Sequence, residues 1–112
     1  MKNAILICLF ASSAFGALPN HYVQKLADVI YRIEGGSKTH HPYGIKSIKT
    51  NGDVAKARQI CINTIVNTHK RWIASGRKIH FVDYLANRYC PVKTDKRGNS
   101  NWKRNVHRLM QQ

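Results

Sequence analysis

The sequence predicts a small, mainly α-helical domain with one short loop or β-like segment after its first helix. Three observations predict it. Apolar residues recur at helical spacing in separate stretches along the chain. Gly-Gly, Ser-Gly and proline punctuate the intervals between them. A chain of 112 residues holds one modest core, which excludes a Rossmann domain, a TIM barrel or a kinase.

The chain opens with Lys2, an apolar run from Ala4 to Phe10, and the small residues Ala11, Ser12, Ser13, Ala14, Gly16 and Ala17. That order predicts a secretory signal peptide over residues 1–17. The run falls short of the roughly 20 apolar residues that a membrane span takes. A single domain over 18–112 follows, exported to a periplasmic or extracellular compartment, with no integral membrane segment once the signal is cleaved.

Asn20, after Pro19, predicts a helix cap. Val23, Leu26, Ala27, Ile30 and Ile33 then form one apolar stripe, and Gly35-Gly36 ends the helix. Ser37 to Gly52 carries Pro42, Gly44 and Gly52 with Tyr43, Ile45 and Ile48 between polar residues. Loop and short strands are expected there, with a turn at Thr50-Asn51-Gly52. Asp53 caps a long helix whose face carries Val54, Ala57, Cys61, Ile65 and Trp72, flanked by Ile62 and Ile73, and which ends near Ala74 before Ser75-Gly76. Phe81, Leu85 and Tyr89 share a face of a shorter helix that Pro91 ends. Lys93 to Ser100 reads as a polar loop, and Asn99 or Ser100 caps a last helix carrying Trp102, Val106 and Leu109.

Lysine and arginine number 19 against five acids, a net charge of +14. Such a chain attracts polyanions: nucleic acid inside a cell, and anionic lipid or cell-wall components outside it. The basic residues are scattered, so charge alone selects no partner. Cys8 falls within the signal, leaving Cys61 and Cys90. An oxidising compartment permits a disulfide between them, closing a loop of about 30 residues and stabilising by roughly 3 kcal/mol; two buried free thiols are the alternative. No Cys-x-x-Cys or His-x-x-x-His pair exists, so neither a metal nor a cofactor is expected, and His40-His41 reads as cleft or surface.

Glu34 is the only glutamate. Its position at the end of the first helix faces the negative pole of the helix dipole, where a cation would be favoured. Apolar neighbours and that pole both raise a carboxyl pKa, and an acid still protonated near neutral pH is a general acid. Glycoside cleavage requires such an acid at the leaving oxygen.

Tyr31-Arg32-Ile33-Glu34-Gly35-Gly36, followed by Pro42-Tyr43-Gly44-Ile45-Lys46-Ser47, resembles the active-site stretch of the lysozyme-like superfamily. The order of helix, glutamate, loop or strands, long helix and further helices is similar too, implying a lysozyme-like α+β fold. The resemblance implies an exported, peptidoglycan-cleaving muramidase or lytic transglycosylase acting on the MurNAc-GlcNAc bond, with Glu34 as general acid and base. It also implies that Ser47 bonds the substrate's N-acetyl group and that Tyr43 and Tyr89 line the sugar cleft, although turn or core packing explains those residues as well. A retaining hydrolase needs a second carboxylate about 5 Å from the first. Asp53 is the nearest in sequence, and its simpler reading is a helix cap. A lone glutamate favours the transglycosylases, which use the N-acetyl group and release a 1,6-anhydro sugar. The expected partners are peptidoglycan glycan strands and polyanionic wall components. The rival reading is a non-enzymatic basic exported protein that binds cell wall, nucleic acid or anionic lipid.

Overall fold

The structure is a computed structural model, and it describes residues 17–46, 50 and 52–112. The expected signal, Ala17 apart, lies outside the described residues, and so does Ser47. The described residues form four α-helices: α1 (Asn20–Ile33), α2 (Val54–Ala74), α3 (Phe81–Tyr89) and α4 (Lys96–Met110). Two 3₁₀ turns, Gly36–Lys38 and Pro42–Gly44, link α1 to α2. The mainly α architecture is the expected one. The short strands are not: among the described residues none forms. Tyr43 at φ 61° and Gly44 at φ 71° are both left-handed, a conformation no strand contains, and Pro42 brings no N–H to a ladder.

Pro19 rather than Asn20 precedes α1. The N–H groups of Tyr22 and Val23 both donate to the Pro19 carbonyl at 3.1 Å, while the Asn20 side chain accepts from Gln24 at 3.4 Å. The helix buries Val23, Leu26, Ala27, Val29 and Ile30, and Gly35 at φ 112° stops it. α2 starts as its sequence predicts. The Asp53 carboxylate accepts the Lys56 N–H at 3.0 Å, and the preceding turn is closed by the Asp53 N–H on the Thr50 carbonyl at 2.9 Å. Its buried face is Ala57, Cys61, Ile65, Thr68 and His69, whereas Val54, expected on that face, is exposed.

α3 has the expected bounds and buries Phe81, Val82, Leu85 and Ala86. α4 begins earlier than expected. Asp95, not Asn99 or Ser100, is its cap, accepting the Gly98 N–H at 2.8 Å. The carbonyl of Pro91 accepts the N–H groups of Thr94 and Asp95, which turns the chain tightly from α3 into α4. Asn99 is buried instead, its amide donating to the Cys90 carbonyl at 2.8 Å.

α1 packs against α2 and α4, and α3 packs against the same two helices. Leu26, Ile30, Ile65, Val82, Leu85 and Val106 meet in the fully buried centre. Each such side chain contributes about 1.5–3 kcal/mol of transfer free energy. The Pro42–Gly44 turn is wedged against both α1 and α2.

The expected Cys61–Cys90 bridge is absent, and both residues are free thiols. Cys61 sits on the inner face of α2, 3.3 Å from the Tyr89 hydroxyl. Cys90, at the end of α3, faces the start of α4, with its sulfur against Gly98. The two thiols thus serve different packing contacts. No helix among the described residues is long and apolar enough to cross a membrane.

Candidate active site

Glu34 terminates α1. Its N–H makes the last intrahelical bond, to the Ile30 carbonyl at 3.0 Å, and its backbone has left the helical range at φ −87°, ψ 9°. The glycine pair then reverses the chain, so the Glu34 side chain emerges where the helix carbonyls end.

Two elements distant in sequence enclose that side chain. The first is the Pro42–Gly44 turn, closed by the Gly44 N–H on the His41 carbonyl at 2.9 Å. Tyr43 is left-handed yet only 3% exposed, a strained geometry that its surroundings must hold. Its ring packs on Tyr31 with centroids 5.0 Å apart. Its hydroxyl accepts from Arg58 Nη1 at 3.1 Å, and the same nitrogen donates to Asp28 at 2.7 Å. Arg58 Nη2 donates to the Gln24 side chain at 2.7 Å, so this α2 guanidinium clamps both α1 and the turn. Thus anchored, the turn presents Gly44 to Glu34. A Cβ at position 44 would fall 2.9 Å from both Cδ and Oε2 of the carboxyl group, so only glycine fits against it.

The second element is α4. Trp102, 7% exposed, donates its indole N–H to Glu34 Oε1 at 3.1 Å. Its ring stacks on Tyr89, with centroids 5.2 Å apart and planes 13° from parallel. Burial raises the Glu34 pKa above the ordinary value, and it outweighs the opposing effects of the Trp102 hydrogen bond and the Lys46 charge. The result is a half-buried carboxyl group inclined to hold its proton, with one oxygen fixed by an indole.

A cleft of about 330 Å³ adjoins this group, at the lower end of the range for ligand pockets. It is lined by Gly44, Ile45 and Lys46 after the first helix, Ile60 and Thr64 of α2, and Arg88 and Tyr89 of α3. Glu34 is not itself in the lining; it reaches the lining residues through its contact with Gly44 and, by way of Trp102, through Tyr89.

The other acids are engaged elsewhere. Asp28 pairs with Arg58, Asp83 bonds His107 at 2.9 Å, and Asp53 and Asp95 cap α2 and α4. Asp53, the nearest carboxylate in sequence, therefore has the capping role. Tyr89 reaches the cleft, while Tyr43 is buried outside its lining with its hydroxyl taken by Arg58. Cys61 is no nucleophile at neutral pH, because burial pushes its thiol up to about 11. Among the described residues no group of His, Cys, Asp and Glu is arranged to hold a metal ion.

Sequence reasoning missed three contributors. Trp102 reads as core, and its only signal is that a buried indole N–H needs an acceptor. Arg58 is one of many scattered cations. The closeness of Gly44 to Glu34 depends on a left-handed tyrosine that no sequence pattern announces. No family model, curated protein or solved structure matches the chain.

Proposed function

We propose that the protein is an exported glycosidase that cleaves the MurNAc-GlcNAc bond of peptidoglycan, with Glu34 as its general acid and base. The observation that carries this reading is the Glu34 carboxyl group itself. It is half-buried at a helix C-terminus, it has a raised pKa, and it is held by the Trp102 N–H beside a cleft. A carboxyl group in such a setting is suited to delivering a proton to a glycosidic oxygen.

In the proposed reaction the protonated Glu34 gives its proton to the bridging oxygen as the bond from that oxygen to the sugar's anomeric carbon breaks. The substrate's N-acetyl carbonyl closes on the anomeric carbon and carries the developing charge. The Glu34 carboxylate then takes the proton of the sugar's C6 hydroxyl, whose oxygen displaces the N-acetyl group and forms a 1,6-anhydro ring. This course needs one carboxylate. It is favoured over a two-carboxylate hydrolysis because all four aspartates have structural partners away from Glu34.

Mass spectrometry of sugars released from purified peptidoglycan tests the reading. Anhydro-muropeptides are the expected product. Reducing ends would replace the transglycosylase by a hydrolase. No release from several wall types would overturn the glycosidase reading and leave a basic binding protein.

A further inference from the structure

Two cations line the cleft. Lys46 follows the Pro42–Gly44 turn, and Arg88 lies in the last turn of α3. Neither forms a salt bridge among the described residues, although the Lys46 charge acts on Glu34. Arg88 also belongs to a second groove, of about 450 Å³, between α2 and α3. Arg71 lines that groove with Thr68, to whose hydroxyl its guanidinium donates at 3.0 Å, and Tyr84 and Asn87 complete it. The two hollows share Arg88, and their linings include three cations and no carboxylate.

We infer that these two basic hollows, which share Arg88, form a subsite for the carboxylates of peptides attached to the glycan strand, with Lys46 and Arg88 binding one beside the scissile sugar and Arg71 a further one. The inference rests on the proposed glycan-cleaving function. A peptide-bearing strand carries carboxylates at intervals beside its sugars, and a guanidinium fork matches a carboxylate in geometry as well as charge. A neutral glycan offers these hollows nothing to pair with. The arrangement also bears on the chemistry. The Lys46 charge favours ionised Glu34, so a substrate carboxylate paired with Lys46 offsets that pull and raises the Glu34 pKa further when the strand is in place.

The test is binding by the full chain carrying Glu34→Gln, which keeps strands intact during measurement. The probes are soluble peptidoglycan strands with free peptide carboxylates and the same strands after those groups are converted to neutral methylamides. Amidation is expected to weaken binding at least tenfold. Adding Arg88→Gln or Lys46→Gln is expected to weaken binding of the free-carboxylate strands about fivefold each and to leave the amidated strands unaffected. Lys93→Gln removes the same charge from an exposed site outside both hollows, and it should not reproduce the effect. Equal affinity for the two strands, or equal losses from Lys93→Gln and Arg88→Gln, would overturn the inference. Wild-type protein incubated with the free-carboxylate strands separates the two ideas. Selective binding without any cleavage would remove the glycosidase and leave the carboxylate subsite standing; cleavage without selectivity would do the reverse.

Discussion

Glu34 combines three influences of different sign. Burial favours its neutral form, while the Trp102 N–H and the Lys46 charge favour the anion. Removing the indole donor alone should therefore raise the pKa further. Trp102→Phe keeps a ring to stack on Tyr89 and loses the hydrogen bond. The alkaline limb of the pH–rate profile should then move to higher pH, and an unmoved limb would mean that Trp102 serves packing only. None of this pairing is legible in the sequence, because Glu34 and Trp102 are brought together only by the packing of α4 on α1. Glu34 itself is legible, since an only glutamate at the wrong end of a helix breaks a local electrostatic rule.

At the scale of elements, side-chain caps and apolar periodicity are informative where both are present. α3 matches its predicted bounds, and Asp53 caps α2 as expected. The start of α4 is hidden because its first turn, Lys96-Arg97-Gly98, holds no apolar residue and its apolar stripe begins only at Trp102. The segment after α1 resembles a strand because Tyr43, Ile45 and Ile48 are spaced by polar or glycine residues. What decides its described part is the turn, whose shape depends on Arg58 from a helix still to come. That turn supports the site by close contact. Gly44→Ala places a methyl group against the Glu34 carboxyl in a left-handed backbone. The left-handed strain costs about 1–2 kcal/mol and the contact adds to it. Thermal denaturation should show a loss of about 5–10 °C together with reduced activity. Full activity with an unchanged melting temperature would contradict the tight contact.

Over the whole molecule, the charge imbalance gains meaning from where the acids sit. Two of the five acids cap helices, two pair with Arg58 and His107, and one is Glu34. The remaining surface is left strongly cationic, suited to long-range attraction by a polyanionic wall. Binding to isolated cell walls should fall steeply with salt and be largely lost near 1 M, where the screening length is about 3 Å. Affinity unchanged over that range would show that the charge has no part in recruitment. Composition makes this property readable without a fold, whereas the grouping of Lys46, Arg88 and Arg71 around two hollows that share Arg88 requires the helix packing.

Glu34→Gln tests the role of Glu34 as proton donor most directly, through activity and stability together. The substituted amide keeps an oxygen for the Trp102 N–H but cannot ionise. Because folding raises the Glu34 pKa above its ordinary 4.5, the folded chain holds that proton more tightly than the unfolded one. The wild-type stability contribution is therefore full below that ordinary value and is lost as pH rises through the folded one. The variant escapes this loss, so at neutral pH it should melt no lower than wild type while digesting peptidoglycan at least about a hundredfold more slowly. Digestion at the wild-type rate by a folded Glu34→Gln protein would contradict the account.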